Sequence, residues 1–347
     1  MNMKKLLALV LSLCMVLSMW ACTESEPAAT TTTPATTVAT ESTTTPTTEA
    51  TTEATTEAIT NPEVTPLIYE VTDANGNTIW VMGTIHAGYD YFYPLPDYVM
   101  DAFAQADALA FEILGSEDAG QATMNMALMI YNDGTTIVDH ISEELYQEAV
   151  ALLTEIGAYS EELDYFNAAM WYLLLSAQQT QLSNMSFAQG VETYLAAAAT
   201  AAGKPMKEIE SADIQYKILA SMTEELQQML LENVVKGWSN AETAAESAKK
   251  LADIWATGNE AELAAMLKTD TSQYTEEQLL LNDEFNQKML YNRNIVMADY
   301  AENALKNGEK VFIAVGAAHV VGERGIIDLL TQRGYTVTCL GGNPIEN

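Results

Sequence analysis

Apolar and polar positions alternate in two short segments at the start of the folded region. Leu67 to Val71 and Thr78 to Met82 flank the polar stretch Asp73 to Asn77, which contains an Asn-Gly pair. Asn-Gly between two alternating segments favours a tight turn joining antiparallel strands. The pattern therefore predicts a β-hairpin.

A helical period replaces this alternation through most of the middle of the chain. Apolar positions recur every three to four residues over residues 116–187 and 212–307. Ser142 is expected to cap one helix, because its hydroxyl can accept a hydrogen bond from a free backbone N–H of the first turn. A further helix is predicted over residues 191–202, ending at Gly203.

Short apolar runs at both ends of the domain predict the remaining strands. They cover residues 108–113, 204–210, 310–315 and 335–340, and a helix is predicted over residues 322–333. Strands at both ends with helices between them indicate an α/β fold. We expect a mixed central sheet built from N- and C-terminal strands, with a large helical insertion.

The N-terminus has the composition of a secretory signal. Lys4 and Lys5 precede the apolar run Leu6 to Met19, which is too short to span a bilayer, and Cys22 follows. We predict that residues 1–21 are a signal peptide and that Cys22 is the lipidated N-terminus of the mature chain, as in bacterial lipoproteins.

The predicted lipid anchor also sets the location of the protein. Residues 22–66 are rich in threonine and lack aromatic residues, so they cannot bury enough apolar surface to fold and form a stalk. The globular domain is predicted over residues 67–347. We expect it at the cell membrane, anchored by lipid on the extracytoplasmic face. Only Cys339 remains in the domain, which excludes an internal disulfide.

Charge excludes one class of partner. The formal net charge is −33 at pH 7, and such a surface repels nucleic-acid phosphates and anionic lipid headgroups. We therefore expect no nucleic-acid partner, and contact with the membrane only through the lipid anchor. The composition leaves the oligomeric state open.

Two Gly-x-x-His segments carry the clearest candidate chemistry. Residues 83–86 and 316–319 each directly follow an apolar strand and end in His86 and His319. The carboxyl ends of strands in open α/β sheets form the ligand crevice, and histidine there can bind a metal or act as a base. His140 is isolated from any predicted strand end, and we interpret it as a cap or core residue.

Two carboxylates are candidates to join these histidines. Glu112 is predicted inside an apolar strand, where an unpaired charge would be costly to bury, and Glu210 is predicted at the end of another strand. Two histidines and one or two carboxylates could hold a divalent metal with a position left for water. Structural pairing of both glutamates with arginine or backbone groups is equally compatible with the residue types.

The motifs taken together resemble the TraB/GumN family, which includes the Tiki metalloproteases. The resemblance spans the globular region and rests on residues 80–88, 94–96, 106–107, 111–112, 190–192, 203–205, 209–210, 293–294, 312–322 and 334–337. It implies that His86 and His319 share one site, with Glu112 as the acidic partner and Glu210 and Arg293 nearby. The family commonly has Asp where this chain has Glu192, so we leave Glu192 out of the predicted site.

The expected activity is metal-dependent hydrolysis of peptides or protein termini. His86, His319 and Glu112 would bind Mn, Co or Zn, a remaining carboxylate (Glu112 or Glu210) would act as general base, and Arg293 would stabilise the oxyanion.

Two alternatives remain open for the same residues. The first is a metal-independent hydrolase that uses histidine and glutamate directly, as in esterase-like proteins. The second is a surface lipoprotein that sequesters peptides without cleaving them.

Overall fold

A computed structural model describes residues 63–114, 119–238, 241–269 and 271–345 of the 347-residue chain. The predicted signal peptide, Cys22 and the stalk as far as residue 62 lie outside these residues and stay predictions. In the described ranges, no helix is both long enough and apolar enough to cross a membrane.

The predicted hairpin is confirmed. Strands β1 (Ile68–Thr72) and β2 (Thr78–Thr84) pair antiparallel. The side chain of Asp73 accepts hydrogen bonds from the backbone N–H and the amide of Asn77, at 2.8 and 2.9 Å. Gly76 has a φ of +85°, which a residue with a side chain rarely adopts. The turn residues therefore fix the register of the first two strands.

The hairpin is part of a six-stranded mixed sheet. The other strands are β3 (Ala108–Phe111), β4 (Met206–Glu208), β5 (Val311–Gly316) and β6 (Thr336–Gly341), and the spatial order is β4-β3-β5-β2-β1-β6. Strands β4, β3, β5 and β2 are mutually parallel, whereas β1 is antiparallel to both β2 and β6. Sheet and helices together confirm the predicted α/β fold.

Most helices lie in the two long crossovers of the parallel strands. Helix α1 (Asp97–Gln105) joins β2 to β3, and α12 (Ala317–Val320) and α13 (Ile326–Gln332) lie between β5 and β6. Between β3 and β4 the chain forms α2 (Ala119–Ala127), α3 (Glu143–Glu155), α4 (Ala168–Leu182) and α5 (Val191–Ala202). Between β4 and β5 it forms α6 (Ala212–Ala220), α7 (Glu224–Trp238), α8 (Ala241–Thr257), α9 (Glu260–Leu267), α10 (Glu276–Asn286), a π-helical turn (Gln287–Tyr291) and α11 (Asn292–Lys306).

Helix α3 shows how local sequence produces these elements. The Ser142 hydroxyl accepts a hydrogen bond from the Leu145 N–H at 3.2 Å, as the capping prediction required. Leu145, Ala149 and Leu153 recur at helical spacing and are all buried. Gly157 follows the helix with a φ of +70°. Because the apolar stripe is one-sided, the helix must pack it against a neighbour.

The described residues form two apolar cores. The first surrounds the sheet and includes Val81, Phe312 and Trp255 of helix α8. The second lies among the helices between β3 and β5 and includes Trp171 of α4 and Leu231 of α7. The helical insertion thus has a core of its own, and the sheet core holds the strand ends in place.

Three predicted elements had wrong bounds. Strand β3 ends at Phe111 rather than residue 113, and β4 covers only residues 206–208, so Glu112 and Glu210 both lie just beyond their strands. The chain bends at both positions, so the two glutamate side chains no longer follow the alternation of a strand. The predicted helix over residues 322–333 begins only at Ile326, because Gly322 has a φ of +80° and interrupts it.

Candidate functional site

The site lies where four parallel strands end. His86 follows β2, Glu112 follows β3, Glu210 follows β4, and His319 follows β5 on the short helix α12. Strand β5 lies between β2 and β3, with Thr84 opposite Gly316. Parallel strands bring their carboxyl ends to one edge of the sheet, so residues more than 200 positions apart in sequence meet there.

Gly316 marks the point on which three donor groups converge. A Cβ atom built on this residue would lie 3.6 Å from Glu112 Oε2, 3.6 Å from His319 Cδ2 and 3.8 Å from His86 Nε2. The backbone N–H of Gly316 also donates to Glu112 Oε2, at 3.4 Å. The absence of a side chain at this position therefore leaves a small space lined by two imidazoles and one carboxylate.

Arg293 bridges the two glutamates beneath this space. Its Nη2 donates to Glu112 Oε1 and, at 2.7 Å, to Glu210 Oε2, and its Nε donates to Glu210 Oε2 at 2.9 Å. Its Nη1 donates to the carbonyl of Met289 at 3.1 Å. The side chains of Arg293 and Glu210 are almost fully buried. Such a network needs both signs of charge, since a lone buried charge is strongly destabilising.

Glu112 has a defined orientation. Besides Arg293, the amide of Gln215 donates to its Oε1 at 2.7 Å. Oε2 is directed toward the histidines and lies 3.8 Å from His319 Nε2. One carboxylate oxygen is therefore held by the protein scaffold, and the other faces the space above Gly316.

His319 is buried and held by a neutral amide. Its side chain is 6% exposed, and Nδ1 lies 2.6 Å from Asn294 Oδ1. Asn294 is itself buried, at the start of α11 directly after Arg293. The π-helical turn that precedes α11 offsets the helical repeat at a point where both residues face the site.

His86 is the exposed member of the pair and is held by a carboxylate. Its side chain is 63% exposed, and Nδ1 lies 3.0 Å from Glu192 Oε1. The Thr84 hydroxyl donates to the same oxygen at 2.5 Å. Glu192 lies in the first turn of α5, where the helix dipole favours a negative charge. A side chain at Gly190 would collide with the His86 carbonyl, so glycine there permits this close approach.

The surroundings shift the pKa values of the two histidines in opposite directions. The Glu192 carboxylate raises the pKa of His86 to about 9. Burial lowers the pKa of His319 to about 4, and the positive charges of Arg293 and His86 act in the same direction. The two Gly-x-x-His segments therefore carry histidines of different protonation near neutral pH.

Burial and cationic neighbours together determine the pKa values of the two carboxylates. Burial alone would raise the pKa of Glu112, but the positive charges of His319, Arg293 and His86 outweigh it and hold the pKa at about 2. Burial raises the pKa of Glu210 above its ordinary value despite the contact with Arg293. Glu112 is therefore the more firmly ionised of the two.

The chemical types of the available ligand atoms suit a divalent metal. Two imidazole nitrogens and a carboxylate oxygen suit Zn, Mn or Co, and each histidine has a hydrogen-bond partner on its other ring nitrogen, as ligating histidines almost always do. Two ligands on one cation with bonds of about 2.1 Å lie roughly 3.0–3.4 Å apart. The 3.8 Å between His319 Nε2 and Glu112 Oε2 is slightly wider. In the described part of the chain, no three His, Cys, Asp or Glu side chains form a ready cation site, so binding requires a small approach of these groups.

The structure brings together all five residues proposed for the site in the globular domain. Contacts described above join Glu112 to Arg293 and His319, and Arg293 to Glu210, and His86 Nε2 lies beside the same space above Gly316. The catalytic and metal-binding roles of these residues stay predictions. His140 lies apart in the helical insertion, where its ring stacks on Tyr131 at 4.0 Å between centroids.

Sequence reasoning missed three residues that hold the site. Glu192 contacts His86, Asn294 contacts His319, and Gln215 contacts Glu112. Glu192 and Asn294 belong to the motifs quoted for the family resemblance, so the signal was present although the role was not assigned. Gln215 is an isolated glutamine on α6 and carried no signal.

The family model gives an independent comparison with known proteins. The model of the TraB/PrgY/gumN family matches residues 67–339. The chain belongs to this family. The match includes every strand end that contributes to the site and confirms the resemblance inferred from the motifs. No curated protein and no solved structure shows significant similarity to the chain.

Proposed function

We propose that this member of the TraB/PrgY/gumN family is a metal-dependent hydrolase that cleaves peptides on the extracytoplasmic side of the membrane. The observation that carries the proposal is the convergence of His86 Nε2, His319 and Glu112 Oε2 on the space above Gly316. Each of the three side chains is fixed from behind by another residue, as expected for a preorganised ligand set.

The charge of the cluster supports a divalent cation. Glu112, Glu192 and Glu210 contribute three negative charges, and Arg293 contributes one positive charge. With both histidines neutral, as metal binding requires, two negative charges remain. One divalent cation would neutralise them, and such compensation is needed where charges are withdrawn from water.

The chain's own residues have distinct roles in this proposal. A divalent cation at such a site lowers the pKa of water and polarises a carbonyl group. Glu112 presents Oε2 to the same space, so in this proposal it binds the cation, whereas its pKa of about 2 makes it a weak acceptor for the proton of the attacking water. All three guanidinium nitrogens of Arg293 donate hydrogen bonds within the protein, to Glu112, Glu210 and Met289. We therefore assign Arg293 to positioning Glu112 rather than to stabilising the oxyanion.

In the metal-independent alternative, His86 and Glu112 would activate water directly, and the exposed His86–Glu192 pair also supports such a reaction. A histidine beside a carboxylate can act as a general base, and the 3.0 Å contact has suitable geometry. However, Glu192 raises the pKa of His86 to about 9, so the ring is largely protonated at pH 7 and a cation would have to displace that proton. We favour the metal-dependent reaction because it also accounts for the convergence of His319 and Glu112 on the same space.

The deciding experiment is metal content. The purified full-length protein, His86→Ala and His319→Ala are loaded with Zn, Mn or Co, dialysed and analysed for bound metal, beside His140→Ala as a matched control. We expect near-stoichiometric metal in wild type and His140→Ala, and loss of metal in both site variants. Wild type that holds no metal with any of the three ions would refute the proposal.

Substrate assays then separate an enzyme from a peptide binder. The metal-loaded protein should hydrolyse a mixed peptide library and lose turnover in chelator, and Glu112→Gln should lose turnover while retaining its fold. A protein that binds peptides equally well in His319→Ala and releases no fragments would instead be a sequestering lipoprotein.

The proposed location depends on residues 1–22. Cys22→Ser should release the protein from the membrane fraction, because the thioether-linked lipid can form only on cysteine. Continued membrane association of this variant would contradict the lipid-anchor assignment.

A further inference from the structure

The loop that follows His319 contains an unusual backbone conformation. Arg324 has a φ of +60°, and the only other non-glycine residue with positive φ in the described ranges is Asn184. Asparagine adopts this conformation more readily than arginine does. A strained residue next to a functional site persists only where its surroundings enforce it.

Two sets of contacts enforce the conformation of Arg324. Its backbone N–H donates to Asp328 Oδ2 at 2.7 Å. Its guanidinium lies over the ring of Tyr291, 3.9 Å from the centroid, and its Nη2 is 3.5 Å from Gln287 Oε1. Tyr291 and Gln287 are the two ends of the π-helical turn. Arg324 therefore ties the loop after His319 to the turn that precedes Arg293.

The carbonyl of Arg324 reaches the site through one residue. It accepts a hydrogen bond from Asn294 Nδ2 at 2.9 Å, and Asn294 Oδ1 lies 2.6 Å from His319 Nδ1. A carbonyl can only accept, so the amide of Asn294 must direct its NH₂ group toward Arg324. Its oxygen, which can only accept, is then left facing His319.

The orientation of Asn294 in turn selects a tautomer of His319. An acceptor at Nδ1 requires that Nδ1 carry the hydrogen in the neutral imidazole, and Nε2 then carries the lone pair. Nε2 is the nitrogen that faces Glu112. We infer that Arg324 is a positioning residue, whose carbonyl acts through Asn294 to hold His319 with its Nε2 lone pair directed into the site. The inference rests on the proposed function only where it concerns metal affinity.

Two substitutions at the same position test the backbone requirement. Arg324→Gly and Arg324→Val both remove the guanidinium, but glycine tolerates positive φ whereas a β-branched residue does not. We expect Arg324→Val to bind Zn about 10-fold more weakly than wild type and Arg324→Gly to lie between the two, since outer partners of a ligating histidine typically change metal affinity by 10- to 100-fold. Arg333→Gln, which removes an arginine of the same segment, should match wild type.

A spectroscopic measurement tests the tautomer directly, without metal. The ¹⁵N shifts of the His319 ring, assigned by comparison with His319→Gln, should show a protonated Nδ1 and an unprotonated Nε2 in the wild-type protein at pH 7. In Arg324→Val we expect a mixture of tautomers. Asn294→Leu, which removes both the donor facing Arg324 and the acceptor facing His319, should give a mixture of the same kind.

The outcomes separate this inference from the proposed function. Unchanged ring shifts and unchanged Zn affinity in Arg324→Val would overturn the role of Arg324 while leaving a metal site intact. A wild type that binds no Zn would refute the metal site, and the ring shifts would still decide the role of Arg324. If Arg324→Val fails to fold, Tyr291→Leu removes the ring beneath the guanidinium and gives the same two readouts.

Discussion

The two Gly-x-x-His segments have the same local pattern and opposite surroundings. His86 is 63% exposed and paired with the carboxylate of Glu192, whereas His319 is 6% exposed and paired with the amide of Asn294. Consequently the pKa of His86 is raised to about 9 and that of His319 is lowered to about 4. The comparison teaches that a repeated motif specifies position at a strand end, and that residues from distant helices specify the chemistry.

This asymmetry divides the site into a buried half and an exposed half. The buried half consists of His319, Asn294, Glu112, Arg293 and Glu210, and its charges interact at low dielectric. The exposed half consists of the solvent-exposed His86 and the two residues that hold it, the largely buried Glu192 and the buried Thr84; water reaches the imidazole and screens the ion pair. Substitutions in the buried half should therefore affect folding as well as metal binding, whereas substitutions in the exposed half should affect mainly metal binding.

The largest loss of stability is expected from removing the positive charge of Arg293 from the buried half. Arg293→Met would leave Glu112 and Glu210 buried without a counter-charge, and we expect a loss of about 3–5 kcal/mol in the free energy of unfolding. Arg333→Met is the matched control, because Arg333 pairs with Asp299 and Glu302 at the surface, and should cost only about 0–1 kcal/mol. Urea unfolding measures both, and equal losses would contradict the division.

Acid should reveal the buried histidine. The native pKa of His319 is about 4, below the ordinary value, so the unfolded chain binds more protons between pH 4 and 6.5. Stability of the metal-free protein should therefore fall as the pH falls through this window, by on the order of 3 kcal/mol from this residue. Urea unfolding at pH 4.5 and 7 should show a smaller acid loss in His319→Gln than in wild type. Parallel losses would contradict the assignment.

Metal affinity should depend on the carboxylate behind the exposed histidine. Glu192→Gln removes the negative charge at His86 Nδ1, so we expect a His86 pKa that returns toward its ordinary value and, once the affinity is corrected for the proton that Zn displaces, about 10- to 100-fold weaker Zn binding. Calorimetric titration measures the affinity, and NMR titration measures the pKa. Glu302→Gln, a carboxylate on α11 outside the site, should leave both unchanged. If Glu192→Gln bound Zn as tightly as wild type, Glu192 would have no role in metal binding.

The smallest effect concerns the folding contribution of the exposed pair. Because the folded pKa of His86 is raised, its contribution is fully present below about pH 6.5 and is lost as the pH rises through about 9. Solvent exposure limits it to about 0–1 kcal/mol, and 1 M salt should weaken it further. His86→Asn and wild type should therefore differ slightly at pH 6 in low salt and converge at pH 10. A difference that persists at pH 10 would show that packing, not charge, is responsible.

Much of the fold was predictable because its signals are local. The Asn-Gly turn, the Ser142 cap and the glycines that follow helices each act within a few residues, and all are confirmed. Strand ends were less predictable. Glu112 was predicted inside β3, yet the chain bends there and the carboxylate pairs with Arg293. Arg293 lies on α11, 181 positions later in the sequence.

The candidate site was predictable in its members but not in its contacts. His86, His319, Glu112, Glu210 and Arg293 could be named from the strand-end pattern and the family resemblance. Gln215 could not, because a single glutamine on an amphipathic helix has no distinguishing neighbours in sequence. Its role appears only in the folded chain, where its amide lies 2.7 Å from Glu112 Oε1.

The hairpin, the helices, the strand-end positions of both histidines and the membership of the TraB/PrgY/gumN family all follow from residues that are close together or in a fixed order along the chain. Tertiary structure alone decided which histidine is buried, which carboxylate oxygen faces it and which residues hold each ring. Those properties depend on burial and on distances between side chains from separate elements, and neither is written in local sequence because only the packing of the helices around the sheet creates them.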